Sequence, residues 1–205
     1  MRRLIAAPRL SLNDTLPEIF PYGWYSGKFE GITFKPTKRD KKEHRSIVLV
    51  LAAALDQALE AAIVVRLPGI LPGNESYIFS DEAAPLRDLD AKIRIGFALG
   101  VYGDKARADL SLLKSIRNTF AHSRFDLHFD LPELAEACAH FTLPTRSQRT
   151  FGSMEGDHCQ TFVDVGLQYV IHLLPSADRS QQDKARKWHY EVLDLPQPSL
   201  PQKSQ

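Results

Sequence analysis

Cysteine, net charge and long unbroken apolar runs are all scarce in this chain, and each scarcity removes a class of function. Its two cysteines, Cys138 and Cys159, stand far apart and in no C-x-x-C or histidine-spaced pattern, which argues against a zinc module and for a reducing compartment. They read as small core residues. With 26 basic against 25 acidic side chains the net charge is only +1, so no global field draws the molecule to nucleic acid, and any such contact must be a local patch. The most apolar stretch is interrupted by Asp56, Gln57 and Glu60 before it reaches the ~20 residues a membrane span needs. A basic start at Met1-Arg2-Arg3 leads into an apolar run cut off by Pro8 and Arg9, too short for a signal peptide. A cytoplasmic protein with no membrane contact is expected. His128, His140, His158, His172 and His189 sit at no metal-ligand spacing, and Gly96-Phe97-Ala98-Leu99-Gly100 lies inside a helical pattern rather than between strand and helix. Neither a metal nor a cofactor is therefore expected.

What is present is a helical protein of 205 residues, 43% hydrophobic, enough for one good core. Residues 1 to 38 are punctuated by Pro8, Pro17, Pro21, Pro36, Gly23, Gly27 and Gly31, which predicts an irregular arm. Phe20, Tyr22, Trp24, Tyr25, Phe29 and Phe34 crowd into it and should lie against the helices. The domain proper is placed at 39 to 193, with 194 to 205 a proline-rich tail. Lys35, Lys38, Arg39, Lys41, Lys42 and Arg45, next to the aromatics, could make a single-strand nucleic-acid surface, but Asp40 and Glu43 break the run at helical spacing, as on a solvated helix.

Helical periodicity runs from about Asp40 to Leu67, where Ile47, Val48, Leu51, Leu55, Leu59, Ala62 and Ile63 make a stripe that Leu49, Val50 and Val65 broaden; this should be the central helix. A polar connector covers 68 to 85. Leu89, Ile93, Gly96 and Phe97 then predict a tightly packed helix with Asp88 as its N-cap. Gly103 should end it, and Asp104 should cap the next helix of a hairpin. Ser123 to Asp130 alternates Phe125, Leu127 and Phe129 with polar positions and could be extended. A short helix from Asp130 to His140 closed by Pro144, a core helix opened by Asp157 with Gln160, and a last polar helix over 177 to 193 complete the reading.

One stretch is site-like: Leu112-Leu113-Lys114-Ser115-Ile116-Arg117-Asn118-Thr119-Phe120-Ala121-His122. Wound at about 100° per residue, Arg117 falls between Leu110, Leu113 and Phe120, so a guanidinium sits in a stripe that should face a core or a partner. Such a cation demands an anion, and the acids of the central helix, Asp56 and Glu60, are the candidates. Asn118 and His122 are four residues apart and share a flank of the same helix end.

In order along the chain, Leu55-Asp56-Gln57-Ala58-Leu59-Glu60, Ala84-Pro85-Leu86-Arg87-Asp88-Leu89-Asp90-Ala91-Lys92-Ile93, Ala98-Leu99-Gly100, Asp109-Leu110 and Ile116-Arg117-Asn118-Thr119-Phe120-Ala121-His122 resemble the mannitol operon repressor family, MltR, over about residues 40 to 125. The resemblance implies an all-α fold, a homodimer and a role in bacterial transcriptional control, and it brings no DNA-binding motif. The spacing of Arg117 and His122, with Asn118 beside the arginine, is also similar to the signature of the HEPN superfamily. Its nuclease members join two such motifs across a dimer and cut RNA without metal.

The expectation is therefore an all-α bundle of HEPN/MltR type, acting as a dimeric regulator that binds another macromolecule, with a protein partner favoured and RNA the other candidate. The alternative is a metal-independent endoribonuclease. Its chemistry would have His122 take a proton from a 2′-hydroxyl and Arg117 stabilise phosphorane charge. Against catalysis stands a structural role, in which Arg117 is a buried ion-pair partner, Asn118 pins a loop and His122 ends the helix where the macrodipole favours positive charge.

Overall fold

Asp40 leads the chain into its longest helix: its side chain accepts from the Lys42 amide at 3.1 Å, and a 3-10 turn over Lys41–Glu43 passes into α1, His44–Arg66. The computed structural model describes residues 40–67, 69, 75–146, 157–174 and 189–196, and in the N-terminal arm the two-residue strands β1, Lys28–Phe29, and β2, Ile32–Thr33, which pair antiparallel. Apart from that hairpin the fold is all-α among the described residues. The expected packing of the arm's aromatics lies outside the described residues.

The stripe read from the sequence is the core face of α1. Ile47, Val48, Leu51, Leu55, Leu59, Ala62 and Ile63 are all buried. Leu49 and Val65, expected to widen the stripe, are exposed instead. Around α1 pack α3, Leu89–Ala98, α4, Asp104–His122, and α7, His158–Leu173, so the longest helix is the central one. By length and composition, Lys41–Arg66 could cross a membrane, but most of its apolar window is buried inside the protein, the setting of a core helix. The connector before α3 carries one helical turn, α2, Ser76–Phe79, whose Phe79 is buried.

The α3–α4 hairpin forms, with its turn shifted from expectation. α3 stops at Ala98, and Gly100 takes the left-handed conformation at φ +65° that other residues adopt at a cost. Gly103 is the N-cap of α4 and Asp104 its first residue, whereas Asp88 holds the N-cap position of α3 without a side-chain capping bond. Gly96 makes room for the ring of Tyr102. A Cβ there would stand 2.9 Å from the hydroxyl of Tyr102, which donates to the Ile93 carbonyl.

Beyond α4 the alternating segment is not a strand. Its period-two pattern misleads because only Phe129 is buried, in a cluster with Phe120 and Phe162 at 5.2 Å between ring centroids and with His44 at 5.5 Å. The Phe129 amide also donates to Nδ1 of buried His44 at 3.2 Å. Asp130 does not cap the next helix; it pairs with Lys41 at 2.8 Å, and α5, Pro132–Ala139, begins after Leu131 with its proline at the first position. Pro144 lies inside a further turn, α6, Leu143–Arg146. That turn is fixed by Asp109 of α4, 1% exposed, whose carboxylate accepts from the Thr142 amide and hydroxyl, the Leu143 amide and the Tyr169 hydroxyl at 2.7 to 3.0 Å. A buried carboxylate needs such donors, since desolvation without them costs several kcal/mol, of order 2–7 for a polar group. Asp157 and Gln160 open α7 as expected, the carboxylate accepting from the Gln160 amide at 2.9 Å.

Of the helix expected over 177 to 193, residues 189–192 are helical, Leu193 lies in a turn, and 177–188 lie outside the described residues. Val192 and Leu193 are buried, and the Leu193 carbonyl accepts from the Gly103 amide at 2.8 Å. Asp194, assigned from sequence to the tail, belongs to this folded body: its carboxylate takes the Lys105 amide at 2.8 Å, supplying a side-chain cap that Gly103 cannot give to α4.

Candidate functional site

The anion expected for Arg117 is engaged elsewhere. Asp56 and Glu60 of α1 do form a charged cluster, but their partner is Lys92 of α3, whose ammonium lies 2.6 Å from the Asp56 carboxylate and 3.3 Å from that of Glu60. Lys92 is 2% exposed, and the Phe79 ring covers its ammonium at 5.8 Å. The cluster ties α1, α2 and α3 together with one excess negative charge. Sequence reasoning missed Lys92, although the signal was there: it falls in the apolar stripe of Leu89, Ile93 and Gly96, the same anomaly that drew notice to Arg117.

Arg117 sits on the face that Leu110 and Leu113 bury lower on α4, yet it is only half-buried, and among the described residues its hydrogen bond runs from Nη1 to Asn118 Oδ1 at 2.9 Å. The buried ion pair expected for Arg117 is thus replaced by a bond between neighbours that orients the guanidinium. Asn118 is half-buried too and, among the described residues, it pins the arginine and not a loop. His122, one turn on at the C-terminal end of α4, is exposed. The structure therefore gathers the three predicted site residues at one helix end and separates them from Asp56 and Glu60.

A second arginine shapes that end. Arg45, in the first turn of α1, reaches across to the segment leaving α4, donating from Nη2 to the Ser123 carbonyl at 2.6 Å and to the Phe125 carbonyl at 3.2 Å. Ser123 adds its hydroxyl, which accepts from the Phe125 amide at 3.0 Å. The result is a clamped turn that presents Arg124 and Phe125 to solvent beside His122, with Phe125 78% exposed.

Chemically, this end offers an oriented guanidinium for an anion, an amide, and an open imidazole able to give or take a proton. Two titratable groups away from this end, Cys138 and Tyr102, are packed into the core. The Cys138 thiol, buried at the end of α5, is pushed up to about 12 by burial, and burial raises Tyr102. His172 meets His189 at 3.2 Å between their Nδ1 atoms, where the C-terminal segment joins α7. Among the described residues no group of three or more His, Cys, Asp or Glu could hold a metal ion. Compared with known proteins, the chain matches no family model, no curated protein and no solved structure.

Proposed function

We propose that this chain is an MltR-like, HEPN-type regulator of bacterial transcription, cytoplasmic and homodimeric, which acts by binding another macromolecule through the C-terminal end of α4. One observation carries this reading: Arg117, Asn118 and His122 are gathered at a helix end, while the ion pair that would have made Arg117 part of the core belongs to Lys92. Polar groups that pack a fold are enclosed by it; here His122 is exposed, and Arg117 and Asn118 are only half-buried. The near-zero net charge supports a protein partner for the regulator, because no field gathers nucleic acid over distance. Light scattering across a dilution series tests the homodimer. A dimer mass that persists on dilution supports it, and a monomer mass at every concentration overturns it.

The second reading is metal-independent RNA cleavage, favoured by the Arg117–Asn118 bond, which sets a guanidinium in place for a phosphate, with an open imidazole one turn away. Joined across a dimer, two such ends would offer one imidazole to take the proton of a 2′-hydroxyl as its oxygen attacks phosphorus, a guanidinium to stabilise the phosphorane, and the other imidazole to give a proton to the departing 5′-oxygen as its bond to phosphorus breaks. Incubating the purified protein with single-stranded RNA in EDTA decides between the readings. Cleavage leaving 2′,3′-cyclic or 3′-phosphate ends, absent from a folded His122→Ala protein, establishes the enzyme. Intact RNA after prolonged incubation leaves the regulator.

A further inference from the structure

Phe125 is the most exposed of the large hydrophobic side chains among the described residues, at 78%, against 64% for Val65, 55% for Tyr77 and 36% for Leu49. Single exposed apolar residues are common and need no explanation by themselves. What sets Phe125 apart is how its backbone is held. Its amide donates to Ser123 Oγ at 3.0 Å, its carbonyl accepts from Ser123 Oγ at 3.2 Å, and the same carbonyl accepts from Arg45 Nη2, which also grips Ser123. A guanidinium from another helix thus fixes the backbone of a turn whose side chain touches little of the protein. The rigid backbone lowers the entropy lost when that ring is captured by a ligand.

The neighbours indicate what the ring would meet. Three residues before it is exposed His122, directly before it exposed Arg124, and on the last turns of α4 lie Asn118 and the oriented Arg117. A flat apolar face next to cations that can meet phosphates matches a nucleotide in a single strand: the base stacks on the ring and the backbone lies on the cations. A purely apolar partner would leave Arg117 and Arg124 facing nothing, and a duplex would keep its bases out of reach.

We propose that Phe125 is a base-stacking platform that seats single-stranded RNA at the C-terminal end of α4, with Arg117 and Arg124 receiving the flanking phosphates. The proposal rests on the RNA reading of that end and adds a positioning residue to it. Phe125 takes no part in proton transfer. It fixes which nucleotide lies beside His122, and it acts on every base because every base has a π-face.

Fluorescence anisotropy of a short fluorescein-labelled single-stranded RNA of mixed sequence, its 2′-oxygens methylated so that it cannot be cut, titrated in EDTA with the full chain, tests this with four variants. Phe125→Ala should weaken binding about ten-fold or more, as expected for loss of one stacked base. Phe125→Tyr, which keeps the flat ring, should bind like wild type. Phe125→Leu, which keeps bulk without a π-face, should bind like the alanine variant. Each Phe125 variant should melt with wild type, because the side chain is exposed, and light scattering should give each the wild-type mass. If wild type binds and Phe125→Ala binds equally well, the platform is overturned while the RNA reading survives. If Phe125→Leu binds like wild type, the contact is a general apolar one and stacking is overturned. If affinity falls only in step with a drop in mass, Phe125 is a contact between protein copies, which also overturns the proposal. If wild type binds no RNA, the RNA reading itself fails, and Arg117→Ala, the fourth variant, serves to confirm that the signal reports this site when binding is seen.

Discussion

The α1–α3 contact and the C-terminal end of α4 both set a cation in an apolar helical stripe, and from sequence the two look alike. Lys92 ends 2% exposed between Asp56 and Glu60, under the ring of Phe79. Arg117 ends half-buried, bonded to its own neighbour Asn118, with exposed His122 beyond it. Helical angle tells which face a cation occupies; it does not tell what stands opposite at that height of the bundle. Where two carboxylates stand opposite, the cation becomes part of the core. Where the helix end projects past its neighbours' acids, the cation remains available to a partner. The first cluster serves stability, and the second carries the proposed function.

The strongest way to break this contrast is to remove Lys92. Lys92→Met leaves Asp56 and Glu60 facing each other without their cation, and urea denaturation should show a loss of about 3–5 kcal/mol. Next in size is Asp109→Ala, which strips four donors of a buried acceptor and frees the turn after α5; about 3 kcal/mol is expected from the same melts. Arg117→Met, by contrast, should cost less than about 1 kcal/mol, since it removes one partly buried bond to a neighbouring amide. The smallest effect concerns acid. Lys114, and after it Arg94, hold the Asp90 carboxyl below the usual carboxylate range. A group whose folded value is depressed stabilises the fold above its unfolded value and loses that contribution as the pH falls through the folded one. Asp90→Asn should therefore lower stability slightly at neutral pH, flatten the acid limb of the stability profile, and leave stability unchanged in acid below the folded value.

The helices were legible because their signals are local. Proline and glycine punctuation, the Asp157 and Gln160 start of α7, and the apolar face of α1 each lie within one or two turns of sequence. The extended piece suggested for 123 to 130 does not form: Phe125, Leu127 and Phe129 alternate, yet Phe129 alone is fully buried, Leu127 packs against the core from its edge and Phe125 is exposed. Asp194 was misplaced because the groups it meets, Lys105 and the α3–α4 turn, are nearly ninety residues away. The site was half legible. Arg117, Asn118 and His122 could be gathered by helical spacing, but the partner of Asp56 and Glu60, and the reach of Arg45 to Ser123 and Phe125, depend on contacts between helices. No periodicity reports those.

The most direct measurement of the central claim is a urea melt of the double variant Arg117→Met/His122→Ala beside that of Lys92→Met, with each protein also assayed for single-stranded RNA binding. The account predicts that the double variant unfolds within about 1 kcal/mol of wild type and loses whatever binding wild type shows, while Lys92→Met loses about 3–5 kcal/mol. A double variant as destabilised as Lys92→Met would contradict it, because the end of α4 would then be holding the fold together.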